Sequence, residues 1–210
     1  MTDRKILLIG TAAAIGVLAG GALFMTMRQG DDQFAQCSSS SVAGGMDAFG
    51  TPFTLTRDDG QRVTDQDVFD KPTLLYFGYT FCPDICPTSL AATATGLNQL
   101  SAEELAQVAV IFISVDPKRD TPARLKEYVE FFHPAIVGIT GTAEEVADVS
   151  RRYGVFYAEQ KVETAGDGYV VDHSSETYVI GRDGRLLGKL PHGAPPEQVV
   201  AEIRNVLNQP

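Results

Sequence analysis

Three side chains have the types and the order to hold a soft metal ion or to exchange a disulfide: Cys82, Cys86 and, far downstream, His173. The cysteines stand four positions apart in "FGYTFCPDICPTS" (Phe77–Ser89), one residue wider than in a C-x-x-C motif. Residues four apart on a helix face the same way, so the two thiols converge if the chain begins to coil there. Pro87 suits a first helical turn. A thiol near a helix N-terminus has a lowered pKa, which favours the thiolate that ligates metals and attacks disulfides.

Three chemistries are open to this pair. A purely structural disulfide would close so short a loop that it would constrain the unfolded chain little. A redox-active Cys82–Cys86 pair is the second, and "YTFCP" (Tyr79–Pro83) is similar to the peroxide-reducing relatives of thioredoxin. Thioredoxin-type enzymes, however, hold a cis-proline opposite the cysteines before a late strand, and "VVDHSSETYVI" (Val170–Ile180) contains no proline. The third is a metal site, for which the same segment supplies His173. Two thiolates and an imidazole suit Cu(I), and imidazole suits copper and zinc; zinc would normally take a fourth ligand. Asp172 is a candidate outer partner of His173.

The elements that must position these residues are legible in pattern. "FTLTRDDGQRV" (Phe53–Val63) reads as a hairpin turning at Asp59-Gly60. "TLLYFGYT" (Thr73–Thr80) and "VAVIFISVD" (Val108–Asp116) are apolar runs expected to be strands buried on both faces. A helix is expected over Thr88–Leu100, where Leu90, Ala94 and Leu97 recur at helical spacing. Thr121 followed by Pro122 opens another helix, with Leu125, Tyr128, Val129 and Phe132 on one face. A third strand, "AIVGITG" (Ala135–Gly141), leads to a capping box of Thr142 and Glu145 and a helix to about Tyr153. Strands follow at Tyr169–Val171 and over Glu176–Leu190, the latter turning at Asp183-Gly184. Val199, Val200, Ile203, Val206 and Leu207 stripe a last helix. The succession predicts an α/β, thioredoxin-like domain, with the cysteines and the Asp116 loop at the C-terminal edge of the parallel strands, where sites gather in such sheets.

At the N-terminus, "ILLIGTAAAIGVLAGGALFMTM" (Ile6–Met27) is 22 residues without a charge. A bilayer core takes about 20 apolar residues. Arg4 and Lys5 precede the run, and Arg28, Asp31 and Asp32 follow it, so the positive-inside bias puts residues 1–5 in the cytoplasm. The expected order is a transmembrane anchor at 6–27, with a cleaved signal peptide as the alternative, a tether of small and polar residues at 28–50 and a folded domain at 51–210. The chain would then be a single-pass protein of a bacterial inner membrane with its soluble domain in the periplasm. Cys37 lies in the tether, too far behind the apolar run for a lipid-modified cysteine, and takes no defined role. With 17 Lys+Arg against 27 Asp+Glu, a net charge of −10 and no basic stripe, the chain lacks the footprint of a nucleic-acid binder.

"FGYTFCPDICPTSL", "ISVDPKRDTP" and "VDHSS", in that order behind one span, resemble the Sco (SenC) proteins over about Gly50–Pro210. These are thioredoxin-fold copper chaperones of cytochrome c oxidase assembly. The C-P-x-x-C-P element followed by a distant D-H is the specific part of the match. The resemblance implies Cys82, Cys86 and His173 as ligands of Cu(I) or Cu(II), and a Cys82–Cys86 disulfide in the oxidised form. It implies delivery of copper to the binuclear Cu-A site of oxidase subunit II, or alternatively reduction of that subunit's cysteines. Copper requires the dithiol while an export compartment favours the disulfide, so a periplasmic copper donor and a thioredoxin-like reductant are expected partners. "DPKRDTP" (Asp116–Pro122) should border the site. His133 and His192 are set aside as a helix-terminal and a loop histidine, Asp84 between the cysteines has two readings, turn chemistry or a part in copper access or partner docking, and Phe77, Tyr79 and Phe81 are expected in the sheet core, Phe81 shielding the site.

Overall fold

The computed structural model describes residues 52–162 and 168–208. The expected anchor, the tether and Cys37 lie outside the described residues. Among the described residues no helix is long and apolar enough to cross a membrane.

The hairpin forms where Asp59-Gly60 demands it: β1 (Thr54–Arg57) pairs antiparallel with β2 (Arg62–Thr64), and Gly60 takes φ +85° in the turn. A short α1 (Asp65–Val68) follows, capped by Thr64. β3 (Thr73–Gly78) is buried at all six positions. Then come α2 (Ile85–Leu97) and a short α3 (Ala102–Ala106) whose Ser101/Glu104 capping box the periodicity did not single out. β4 (Ala109–Ser114), α4 (Pro122–Phe132), β5 (Ile136–Thr140) and α5 (Ala143–Arg152) occupy the expected stretches, α4 capped by Thr121 and α5 by the Thr142/Glu145 box.

β6 (Tyr157–Lys161) and β7 (Tyr169–His173) form a separate two-stranded ribbon, in which His173 pairs with Tyr157. β8 (Thr177–Ile180) and β9 (Leu186–Leu190) make the closing hairpin, with Gly184 at φ +76°, and α6 (Pro196–Leu207) ends the described chain.

The main sheet has the order β2-β1-β5-β4-β3-β8-β9. β3, β4 and β5 are parallel, and β8 runs antiparallel to β3. The block β5-β4-β3-β8-β9 is the thioredoxin-like arrangement expected from the succession of elements. Phe77, Phe112, Ile113 and Val179 are fully buried at its centre, as for strands covered on both faces. α2 packs against α6, and the crossing is close at Gly96, where a Cβ would lie 3.2 Å from Val199.

Three expectations are corrected. α2 begins at Ile85 rather than Thr88, which brings Cys86 inside the helix. β7 runs on to His173 and has a partner, β6, that no pattern announced. Phe81 is not sheet core: it is 37% exposed, with the guanidinium groups of Arg124 and Arg119 stacked on its ring at 4.0 and 4.6 Å.

Candidate metal centre

The buried run of β3 ends at Gly78, and the chain turns back on itself so that the Cys82 N–H donates to the Tyr79 carbonyl at 3.2 Å. Cys82 thus sits before the first turn of α2 and Cys86 within it. The first N–H groups of a helix have no partner inside the helix. One of them, the Cys86 amide, donates to Cys82 Sγ at 3.4 Å, so the sulfur does the work of a cap. Asp84 occupies the N-cap position but makes no side-chain capping bond. It accepts a 3.4 Å bond from the Thr88 hydroxyl, in keeping with its expected turn chemistry.

Cys86 needs unusual room. Gly78 supplies it: a Cβ at that position would stand 2.7 Å from Cys86 Sγ and 2.9 Å from the Phe112 ring. Nothing in the cysteine spacing pointed to this glycine; the signal was its place in "FGYTFC", eight residues before Cys86.

His173 arrives from the other side, at the end of β7. Its Nε2 lies 3.3 Å from Cys86 Sγ. Its Nδ1 lies 2.8 Å from the Ser174 carbonyl oxygen. A carbonyl can only accept, so Nδ1 carries the proton and Nε2 presents its lone pair to the sulfurs. Tyr76 and Tyr79 meet the imidazole edge-on, with centroids at 6.2 and 5.7 Å. The Tyr79 hydroxyl also accepts the Val171 N–H at 3.2 Å, tying the cysteine loop directly to β7. Tyr79 therefore orients the histidine strand, a role its sequence position did not reveal.

The donor atoms of Cys82, Cys86 and His173 all lie within 4.8 Å of one another, a group of three that could hold a metal ion. Two sulfurs and an unprotonated imidazole nitrogen, partly shielded from water, are a soft donor set of the kind that suits copper. Both cysteines are free thiols, Cys86 fully buried and Cys82 9% exposed. Their electrostatics diverge. The hydrogen bond from the Cys86 thiol, helped by backbone N–H groups, lowers the Cys82 pKa to about 4 against the opposing effect of burial. Burial, and then the neighbouring Cys82 sulfur, push the Cys86 thiol far up. The metal-free pair thus carries one thiolate and one proton. A cavity of about 360 Å³ opens beside it, lined by Tyr79, Cys82, Pro83, Ile85, Val171 and His173.

Of the other sequence candidates, Asp172 is exposed on the ribbon beside His173 and lines the same cavity. His133 closes α4 as a buried helix-terminal residue and accepts the Ala135 N–H on Nδ1 at 3.1 Å. His192 is exposed, its Nδ1 2.9 Å from the Ser89 hydroxyl. The Asp116–Pro122 segment does border the site: Asp120 accepts the Thr80 N–H and hydroxyl at 3.0 and 2.6 Å.

Comparison with known proteins gives a consistent result. Protein SenC of Rhodobacter capsulatus is 34% identical over 204 residues, covering 97% of this chain and 90% of that protein. The chain spans only 40% of the length of another curated relative, the mitochondrial SCO1 homolog 1 of Arabidopsis thaliana, to which it is 46% identical over 136 residues. Among solved structures, Bradyrhizobium japonicum ScoI with copper bound superposes at a TM-score of 0.70 and 40% identity, covering 76% of this chain and 99% of that one. BsSco superposes at 0.59 and 25% identity over 76% of this chain and 94% of its own; it is described through a disulfide switch and as a member of the Sco family of cytochrome c oxidase assembly proteins. The sequence model of the SCO1/SenC family matches residues 42–208, four-fifths of the chain. With that span, the shared fold and the three converging donor residues, this chain belongs to the SCO1/SenC family.

Proposed function

We propose that this protein is a copper carrier of the respiratory chain: it takes up copper on Cys82 Sγ, Cys86 Sγ and His173 Nε2 and delivers it to the Cu-A site of cytochrome c oxidase subunit II during oxidase assembly. The observation that carries the reading is the convergence of these three donors within 4.8 Å, with Nδ1 of His173 committed to the Ser174 carbonyl. The copper bound by Bradyrhizobium japonicum ScoI and the oxidase-assembly role attached to BsSco support it. Copper is cargo here, and the residues have to release it as well as hold it. Cys82, already a thiolate and at the surface side, is the sulfur an incoming copper donor meets first. Cys86, buried and protonated, gives up its proton as the ion moves inward, and the Nε2 lone pair completes the set. The charge-free run Ile6–Met27 behind Arg4 and Lys5 supports a single-pass anchor in a bacterial inner membrane, with the domain in the periplasm. There a copper donor loads the site and a thioredoxin-like reductant keeps Cys82 and Cys86 from closing into a disulfide.

The test is copper stoichiometry and spectroscopy on the full-length chain, reduced and anaerobic. Stoichiometric copper in the parent, lost in both Cys82→Ser and His173→Ala, is the expected result. Retention of parent affinity by His173→Ala would remove that residue from the set.

A second reading, a thiol–disulfide oxidoreductase that reduces the Cu-A cysteines, is favoured by one observation, the asymmetry of the dithiol. A low-pKa sulfur near the surface backed by a buried thiol is what disulfide exchange requires. The two readings part at His173. Restoration of oxidase activity in a deletion strain by His173→Ala, but not by Cys82→Ser, would select the reductase.

A further inference from the structure

The loop after β4 touches both halves of the metal centre, through Asp120 on the cysteine side, Asp116 on the histidine side and Arg119 on both. Toward the cysteines, the buried carboxylate of Asp120 accepts three hydrogen bonds: the Thr80 N–H at 3.0 Å, the Thr80 hydroxyl at 2.6 Å and the Ser114 hydroxyl at 2.6 Å. Thr80 lies two residues before Cys82, and its hydroxyl also accepts Arg124 Nε at 2.8 Å. Toward the histidine, Asp116 accepts the Tyr169 hydroxyl at 2.9 Å, and Arg119 Nη1 donates to the Tyr169 carbonyl at 3.2 Å. The Arg119 guanidinium is stacked on the Tyr169 ring at 3.7 Å and bonded to Asp116 at 2.5 Å. Tyr169 opens the strand that His173 ends.

The loop itself is fixed. Its Val115 N–H donates to the Gly78 carbonyl at 2.8 Å, the Asp116 N–H to the Ser114 hydroxyl at 3.0 Å, and the Asp120 N–H to the Asp116 carbonyl at 3.0 Å. The Asp116 side chain is 1% exposed and that of Arg119 11%. Charged groups so far out of water are retained only where they are paired and hydrogen-bonded, and charge-assisted bonds of this kind are the strong ones. The ribbon that carries His173 is not part of the main sheet, so the sheet alone does not set its distance from the sulfurs.

We propose that Asp116, Arg119 and Asp120 form a two-armed brace that fixes the gap between the Cys82–Cys86 sulfurs and the His173 imidazole. They are positioning residues for copper, an assignment that rests on the copper reading of those three ligands. The Asp120 arm holds the sulfur side, and the Asp116 arm holds the imidazole side through the Tyr169 hydroxyl. Arg119 spans the two, stacked on Tyr169 at 3.7 Å and on Phe81, next to Cys82, at 4.6 Å. The arms are therefore separable at Tyr169 and Asp120. Loosening the Tyr169 bond disturbs the chemistry that needs the imidazole, whereas loosening the Asp120 bonds disturbs everything the sulfurs do.

Two measurements on the full-length chain test this, one of them without metal. In amide hydrogen exchange on the reduced, copper-free protein, Tyr169→Phe, which removes the hydroxyl bonded to Asp116 and keeps the ring, should speed exchange in β7 about ten-fold or more, as expected for loss of a bond to a charged group, with residues 80–86 unchanged. Asp120→Asn should do the converse. Arg119→Gln loses the contacts to both Tyr169 and Phe81 and should speed exchange in both segments. With copper, Tyr169→Phe should weaken Cu(II) binding about ten- to a hundred-fold, the usual effect of removing an outer partner of a ligand, and shift the paramagnetic spectrum. Its Cys82–Cys86 dithiol–disulfide equilibrium against glutathione should stay at the parent value, whereas Asp120→Asn should move both. Thr80→Val, which replaces one hydroxyl with a methyl, reports the Asp120 arm where Asp120→Asn prevents folding. In Tyr169→Phe and Asp120→Asn, exchange that rises equally in both segments, or in neither, overturns the brace. So does an unmoved Cu(II) affinity and spectrum in Tyr169→Phe. A parent that binds no copper sinks the function reading instead, and the copper-free exchange pattern then still decides whether the brace exists.

Discussion

At the scale of single residues, the centre works by treating two identical thiols differently. Cys82 caps a helix with its sulfur and accepts from Cys86, so its charged form is favoured; Cys86 is sealed beneath Gly78 and the imidazole, so its neutral form is favoured. A depressed pKa means the folded state sheds its proton before the unfolded state does. The Cys82 contribution to stability is thus complete above its ordinary value of 9.0 and is lost as the pH falls through about 4. Alkylation of the reduced, metal-free protein should accordingly show Cys82 reacting at a nearly constant rate from neutral pH downward and slowing only as pH approaches about 4, with Cys86 inert. An inflection near the ordinary thiol value, followed residue by residue by mass spectrometry, would overturn the assignment. Gly78 gives a second prediction at this scale. Gly78→Ala places a methyl 2.7 Å from Cys86 Sγ. Overpacking of this kind costs about 1–3 kcal/mol, so calorimetry should show a lower melting temperature and a copper titration should show weakened binding. Unchanged values in both would mean that Cys86 has room to move aside.

The elements divide by how much of their stability is written locally. The hairpins at Asp59-Gly60 and Asp183-Gly184, and the caps at Thr121 and Thr142, were readable because each depends on a few adjacent residues with fixed dihedral or hydrogen-bonding demands. Thr142→Ala should therefore cost about 1 kcal/mol in denaturant unfolding and leave copper binding untouched, since α5 contributes nothing to the centre. Loss of copper in that variant would show that the helix and the site are coupled in a way the hydrogen bonds do not suggest. α2 starts three residues before its periodicity predicts because its cap is a cysteine sulfur rather than an oxygen side chain. β6 carries no signature because "YAEQK" exposes side chains on both faces and so has no alternation of apolar and polar positions. Phe81 reads as core because an aromatic residue next to a buried strand has the same pattern whether it is covered by the sheet or by two arginines.

At the scale of the whole molecule, the chain combines a folded domain with an N-terminal apolar run. If Ile6–Met27 anchors the protein as proposed, alkaline extraction of bacterial membranes should leave the full chain in the pellet and release a variant lacking residues 1–27. Full release of the intact chain would end that part of the reading. By itself the sequence determined the α/β class, the order of the strands and helices that carry the centre, and the residue types that can bind copper, because periodicity, caps, turns and donor chemistry are properties of neighbouring residues. It also carried, through "FGYTFCPDICPTSL", "DPKRDTP" and "VDHSS", the likeness to the Sco (SenC) proteins. Only the tertiary structure decided the rest. It brought His173 within 3.3 Å of Cys86 across 87 positions of chain, directed its proton to the Ser174 carbonyl and gave the two thiols opposite electrostatics. Each of these depends on burial and on contacts between segments far apart in sequence, and neither spacing nor composition encodes those distances.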